Sequence, residues 1–242
     1  MGVHPVSSSD DFKRIVGFTA VDRFVRPGTC IGLGTGTTAR WAIERVGERV
    51  AAGEELVVVP TSLATERHCR ELRVPLAELG ERVIDVAIDG ADEVAADWSL
   101  TKGRGGALFR EKAVALAART FIVIVTPEKL VERLGAFPTP VEVVPFTAVT
   151  VARAIEAAHP GVRVRRRGGA PPFVTDNGNA ILDCAFGAID DPAALDAALR
   201  AIHGVVATGL FPSGLTSVVL VADTSGTREL PEPHGGYRPG CP

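Results

Sequence analysis

The stretch Thr29-Cys30-Ile31-Gly32-Leu33-Gly34-Thr35-Gly36-Thr37-Thr38, continuing into Ala39-Arg40-Trp41-Ala42-Ile43, decides how this chain folds. A short apolar run gives way to glycine and threonine, after which Trp41, Ile43 and Val46 recur at helical spacing. That order spells strand, loop, helix. Such a loop leaves backbone N–H groups unpaired at the positive end of a helix dipole, where an anion can be held, and the threonine hydroxyls add donors. The same residues also fit a merely tight strand-to-helix turn. Two nucleotide fingerprints do not fit: Thr37 stands where G-x-G-x-x-G needs its third glycine, and no Gly-Lys-Ser/Thr follows for a Walker loop.

Outward from this loop the rhythm repeats. Apolar residues at mostly helical spacing predict a helix over 10–25, with Ser9 or Asp10 as N-cap, and Pro27-Gly28 turns the chain into the first strand. Strands at 56–59, 83–88 and 121–125 alternate with helices at 63–72 and 107–118. Continuous apolar strands separated by amphipathic helices imply a parallel sheet covered on both faces, a doubly wound Rossmann-like α/β domain. After Phe137-Pro138-Thr139-Pro140 the order becomes strand 141–144, helix 148–158, strands 162–166 and 180–185, helix 192–202 and strand 204–207, the β-α-β-β-α-β pattern of a ferredoxin-like unit. The apolar run 217–222 returns to the first sheet. The expected division is therefore 1–136 with 209–230 as the Rossmann-like domain, 137–208 as a smaller inserted α+β domain, and 231–242 as a flexible Pro- and Gly-rich tail.

Composition agrees with an α/β enzyme. The 242 residues are 46% apolar and 23% charged, enough for a buried core, and only 5% are aromatic. A formal charge of −3 supplies no bulk attraction to nucleic acid or anionic lipid, so an anionic ligand needs a local site. Cys30, Cys69, Cys184 and Cys241 form no C-x-x-C pair, which reads as a reducing cytosol, with Cys30 and Cys184 as small core residues. No secretory signal and no bilayer-length apolar run is present, so a soluble cytoplasmic protein is expected.

Chemistry-bearing residues gather after strands. Asp89-Gly90-Ala91-Asp92 follows an apolar strand, at the carboxyl edge where open α/β sheets bind ligands. The two carboxylates suit hydroxyl groups, or serve as Asx-turn caps. Lys102-Gly103-Arg104-Gly105-Gly106 offers a cation on a loop whose amides can approach a ligand closely. Glu111, near a helix start, is a dipole partner when taken alone; its closeness to Lys102 points to a functional carboxylate. Lys129 is a further cation at the same sheet edge. The histidines show no metal-ligand spacing, so no metal is expected. Arg163, Arg165, Arg166 and Arg167 make the only dense basic run, read as a solvated strand end.

On these residues the chain resembles the type A ribose-5-phosphate isomerases. The matching blocks include Gly34-Thr35-Gly36-Thr37-Thr38-Ala39, Thr61-Ser62, Asp89-Gly90-Ala91-Asp92-Glu93, Lys102-Gly103 with Gly105-Gly106-Ala107, and Arg110-Glu111-Lys112. Further on come Pro140-Val141-Glu142-Val143-Val144-Pro145, Val174-Thr175-Asp176-Asn177-Gly178-Asn179, Gly204-Val205-Val206 and Gly209-Leu210-Phe211, so the blocks run in order over roughly 10–223. The resemblance implies a cofactor-free aldose–ketose isomerase acting on D-ribose 5-phosphate and D-ribulose 5-phosphate through a cis-enediolate, in the non-oxidative pentose phosphate pathway. It implies Glu111 as general base, with Asp89 and Lys102 completing the catalytic set. It implies substrate contacts from Thr35, Gly36, Thr37, Thr38, Asp89, Gly90, Ala91, Asp92, Lys102, Gly103, Arg104, Gly105 and Lys129, with Lys13 near the phosphate, and a homodimer or homotetramer. Arg104 and Ala207 depart from the family's usual glycine and glutamate. Two alternatives stand beside this reading: an inactive sugar-phosphate-sensing domain, and a nucleotide-dependent dehydrogenase, which the incomplete glycine fingerprint disfavours.

Overall fold

The computed structural model describes residues 8–233. His4, His234, Cys241 and the expected tail from 234 onward lie outside the described residues. In chain order the elements are α1 (Ser9–Phe24), β1 (Cys30–Leu33), α2 (Ala39–Ala51), β2 (Val57–Pro60), α3 (Leu63–Glu71), β3 (Val86–Asp89), β4 (Glu93–Val94), β5 (Leu100–Thr101), α4 (Leu108–Ala117) and β6 (Phe121–Val125). Then follow β7 (Thr139–Val143), α5 (Ala148–Ala158), β8 (Arg163–Arg166), β9 (Ala180–Ala185), α6 (Pro192–Arg200), β10 (Val205–Thr208), β11 (Leu210–Phe211), β12 (Val218–Asp223) and β13 (Gly226–Glu229). The chain divides into two compact units: 8–90, Ala113–Lys129 and Thr216–Glu232 form the first; Ala91–Lys112 and Leu130–Leu215 form the second.

The first unit is built on a six-stranded sheet in the order β13-β12-β6-β3-β1-β2. Its central strands are parallel, with Ile31 beside both Val58 and Val86, Ile88 beside Ile122, and Val123 beside Val219. β6 is Phe-Ile-Val-Ile-Val with every residue buried, as a strand covered on both faces must be. The helices bury apolar stripes on it: Val16 and Val21 of α1, Ile43 and Val46 of α2, and Cys69 of α3 join Ile31, Leu33, Ile88, Ile122 and Leu220 in one core. Gly32 permits that packing, because a Cβ there would lie 2.3 Å from Val114 Cγ1. α1 starts with a capping box between Ser8 and Asp11, one residue earlier than the expected N-cap. β3 begins at Val86, so the apolar residues Val83 and Ile84 precede the strand. The edge strand β13, absent from the sequence reading, folds back antiparallel on β12.

The second unit carries the β-α-β-β-α-β run β7-α5-β8-β9-α6-β10, whose antiparallel sheet has the order β10-β7-β9-β8. Val141, Val143, Leu182 and Cys184 face Val151, Ile155 and Leu199 in its core. A three-stranded sheet, β11-β5-β4, belongs to the same unit. The boundaries expected at 136/137 and 208/209 thus differ from the compact units, which place 91–112, 130–136 and 209–215 with the smaller sheet. The physical reason is Glu93: buried, it accepts hydrogen bonds from the Thr101 hydroxyl at 2.8 Å, Gly135 N–H at 3.0 Å and Phe137 N–H at 2.8 Å. Strands of two residues carry no periodic pattern, so nothing in the sequence announced β4, β5 or β11.

Candidate active site

In the first unit the parallel strands β1, β3 and β6 deliver the 34–38 loop, Asp89 and Lys129 to one edge, because each follows the carboxyl end of its strand. Gly34 N–H donates to Ile88 C=O at 2.9 Å, which draws the loop against the end of β3. Asp89 ends β3 and is 3% exposed; its Oδ1 accepts from Thr35 N–H at 3.2 Å and Gly90 N–H at 2.7 Å. Glycine is required at 34, since a Cβ there would sit 1.9 Å from that same oxygen. The carboxylate is therefore part of the loop's own scaffold.

The Thr35 hydroxyl is used inward. It donates to Ser62 Oγ at 2.7 Å, Ser62 donates to Thr65 Oγ1 at 3.1 Å, and Thr65 donates to Gly34 C=O at 2.8 Å. This chain of hydroxyls ties the 34–38 loop to the start of α3. The Gly36, Thr37 and Thr38 amides have no hydrogen-bond partner among the described residues, and neither do the Thr37 and Thr38 hydroxyls. α2 has no side-chain cap and no acidic residue in its first turn, so its positive end faces outward uncompensated.

Lys129 closes a 3-10 turn, Pro127–Lys129, whose amide donates to Thr126 C=O at 3.0 Å. Next to it, partial burial pushes the Glu128 carboxyl up, but the Thr126 hydroxyl at 2.6 Å, the residue's own amide, Lys129 and Lys13 outweigh this and hold it below its ordinary value. Lys13 and Lys129 thus act on one carboxylate. The sequence had pointed less distinctly to Lys13, because α1 carries no motif of its own.

In the second unit the decisive pair is Lys102 and Glu111. Both are buried, 3% and 5% exposed, with Lys102 Nζ 3.6 Å from Glu111 Oε2. That separation keeps the charges coupled but exceeds a hydrogen bond. The Phe211 ring lies beneath, its centroid 5.6 Å from Lys102 Nζ and 5.1 Å from Lys112 Nζ. Lys112 in turn donates to Leu210 C=O at 2.7 Å and Asp196 at 3.0 Å, tying α4 to β11 and α6. Burial lowers the Lys112 ammonium from its ordinary value, with Asp196 opposing the shift. Sequence reasoning assigned Phe211 no role; its signal was membership of the Gly209-Leu210-Phe211 block.

The glycine loop is held from several sides. Lys102 N–H donates to Gly209 C=O at 2.8 Å, and Arg104 N–H to Asp92 Oδ2 at 2.9 Å. Asp92 in the second unit therefore receives an amide of this loop, while Asp89 in the first unit receives the Thr35 and Gly90 amides. Gly103, at φ +102, has no room for a Cβ, which would meet Leu108 at 2.9 Å. The Arg104 guanidinium stacks 5.0 Å from the Phe137 ring centroid, and Ala91 is half-buried ahead of β4. Cys30, Cys69 and Cys184 are buried unpaired thiols, the latter two pushed up by burial to about 12, so none is a reactive candidate.

The family model for ribose 5-phosphate isomerase A (phosphoriboisomerase A) matches residues 57–226. The ribose-5-phosphate isomerase A of Parvibaculum lavamentivorans is 44% identical over 227 residues, covering 91% of this chain and 97% of that protein. That of Methanothermobacter thermautotrophicus is 44% identical over 222 residues, with 91% and 97% covered. Among solved structures, a D-ribose-5-phosphate isomerase in complex with phospho-erythronic acid aligns with a TM-score of 0.88 at 36% identity over 93% of this chain and 99% of its own. The enzyme of Methanocaldococcus jannaschii aligns with a TM-score of 0.87 at 38% identity, over 92% and 99%.

Proposed function

The chain belongs to the ribose 5-phosphate isomerase A family and is an aldose–ketose isomerase interconverting D-ribose 5-phosphate and D-ribulose 5-phosphate; on that premise we propose that Glu111 is its general base. The observation that carries the assignment is the buried Lys102–Glu111 pair at 3.6 Å. A proton α to a carbonyl is weakly acidic, so its transfer between C2 and C1 needs a positioned base and a cation for the enediolate oxygen. The pair supplies both. While Glu111 is ionised, Lys102 balances it; when Glu111 takes the proton, its charge disappears and the ammonium turns to the oxygen where charge develops. The net charge of the site stays constant along the reaction, which is how a low-dielectric site avoids an unpaired charge.

Asp89 is assigned to furanose ring opening, where a proton must move between ring oxygen and anomeric oxygen. The Gly36, Thr37 and Thr38 amides, the Thr37 and Thr38 hydroxyls, Lys129 and Lys13 are assigned to the phosphate. The phosphate lies far from the reacting carbons, so its binding energy orients them. Thr35, Gly90, Ala91, Asp92, Gly103, Arg104 and Gly105 complete the assigned substrate contacts. No cofactor or metal enters these steps. Phospho-erythronic acid, held by one solved relative, is assigned here as a competitive inhibitor whose carboxylate imitates the enediolate.

Cytoplasmic location fits three buried, unpaired thiols among the described residues and a substrate of central metabolism; no helix of the described residues is long and apolar enough to cross a membrane. A homodimer or homotetramer fits the second unit's exposed Phe146 and Val149, 96% and 62% accessible, and light scattering on the full chain reads the assembly directly. The test of the catalytic assignment is ribulose 5-phosphate formation in chelated buffer by wild type and Glu111→Gln. Wild type turns over without NAD or metal, and the variant loses about 10² to 10⁴ in kcat, the usual contribution of a general base. A Gln variant within tenfold of wild type removes Glu111 from the role.

A further inference from the structure

Three of the four basic residues at 163–167 are exposed, as a solvated strand end should be, but Arg167 is not: its side chain is 15% accessible and every arm of its guanidinium is engaged. Nε and Nη2 form a fork on the Asp183 carboxylate at 3.0 and 2.5 Å. Nη1 donates to two successive loop carbonyls, Gly103 at 2.8 Å and Arg104 at 3.0 Å. Asp183 is fixed on β9 opposite Arg165, and the Arg167 amide donates to Ile181 C=O at 2.8 Å, so the clamp is anchored in the four-stranded sheet at both ends. Phe173 fills the remaining space: a Cβ on Gly106 would meet its ring at 2.3 Å.

The clamp has a consequence for the amides of the loop. These peptides are trans, the one cis bond among the described residues being Ala170-Pro171, and in a planar trans peptide the C=O and the following N–H point oppositely. Holding the 103 and 104 carbonyls toward Arg167 turns the N–H groups of 104 and 105 away from it together. The first is received by Asp92 Oδ2 at 2.9 Å; the Gly105 N–H has no partner among the described residues. Successive amides aimed to one side make an anion-binding concavity. We propose that Arg167, held by Asp183, is a positioning residue that aims the Gly105 amide, next to Lys102, at a substrate oxygen. This rests on the assignment of Lys102 and Glu111 above. Arg167 touches no substrate; it acts through the backbone it grips.

The choice of arginine follows. Lysine can meet Asp183 or one carbonyl, but its compact ammonium does not present the planar fork that joins a carboxylate on one edge to carbonyls on the other. The test compares wild type, Arg167→Lys, Arg167→Ala and Asp183→Asn, with Arg166→Gln as an exposed neighbour outside the clamp. Hydrogen exchange of peptides covering 101–107 reads the clamp without any assay of activity. Exchange there rises about tenfold or more in Arg167→Ala, since local opening follows the loss of the bonds that hold a segment; unchanged exchange overturns the clamp even if the wild type shows no isomerase activity. With an active wild type, kcat falls about 10- to 100-fold in Arg167→Lys and Arg167→Ala while KM moves less than about threefold, the cost of misplacing a reacting group. Millimolar guanidinium restores part of the kcat of Arg167→Ala and none of Arg167→Lys, a response that general destabilisation does not give. Raised exchange with unaltered kcat overturns the positioning role and leaves Arg167 as a structural tie. An inactive wild type with raised exchange overturns the isomerase assignments instead.

Discussion

Replacing Lys102 by methionine removes the charge and keeps the stem, so the result follows from the pair geometry. At 3.6 Å, with an effective dielectric near 20, the attraction between Lys102 Nζ and Glu111 Oε2 amounts to about 5 kcal/mol. Without the ammonium, Glu111 is a carboxylate only 5% exposed with its cation gone, and it takes up a proton more readily. Two losses result. The enediolate oxygen loses its electrophile, worth about 10² to 10³ in kcat by analogy with deletion of one oxyanion donor. The fraction of enzyme holding an ionised base also falls, so the acid limb of the kcat/KM profile moves to higher pH, the direction set by removing an adjacent opposite charge. The assay is initial-rate ribulose 5-phosphate formation between pH 5 and 9, beside Glu111→Gln and the double variant. Because the residues act as a unit, the double variant loses far less than the product of the single losses. A Lys102→Met enzyme within tenfold of wild type, or an acid limb that stays in place, refutes the charge hand-over between the two side chains.

Gly34→Ala forces a Cβ to within 1.9 Å of Asp89 Oδ1, so the carboxylate must leave its position; activity drops more than tenfold while far-ultraviolet circular dichroism stays that of a folded chain. Glu142, fully buried in β7, accepts through one oxygen from Thr175 Oγ1, Asn177 Nδ2 and Asn179 Nδ2 at 2.9, 3.2 and 2.9 Å. Glu142→Leu strands these donors and lowers stability by about 3 kcal/mol or more in a urea titration. Glu128 has a folded-state value below its ordinary 4.5, so its contribution is present above that pH and disappears as pH falls through the lowered value. Thr126→Val, which removes its hydroxyl partner, is therefore less stable than wild type at pH 7 by an amount that shrinks toward pH 3, read from urea midpoints.

The reading of the sequence reached the doubly wound sheet because β1, β3 and β6 are uninterrupted apolar runs between amphipathic helices, a pattern that burial on both faces imposes wherever it occurs. It reached the ferredoxin-like run through the β-α-β-β-α-β order of its elements, and it reached Glu111, Lys102 and Asp89 through glycine-rich blocks whose order resembles one family. It did not reach β4, β5 or β11, since strands of two residues have no period, nor the hold of Glu93 on Gly135 and Phe137, which joins positions 42 and 44 residues away. Arg167 was read with its neighbours as solvated because composition cannot separate one arginine of a basic run from the next. Only the return of β9 alongside β8 sets Asp183 within reach of it.

The sequence by itself determined the fold class, the family and the residue types the chemistry requires, because periodicity, turn residues and short blocks are local properties of the chain. The tertiary structure decided which hydroxyl is spent inward, which carboxylate orders a loop and which acquires a buried lysine partner. Those outcomes depend on groups far apart in sequence, such as Thr35 with Ser62 and Lys112 with Asp196, whose distances are set by packing and leave no trace in any window of residues.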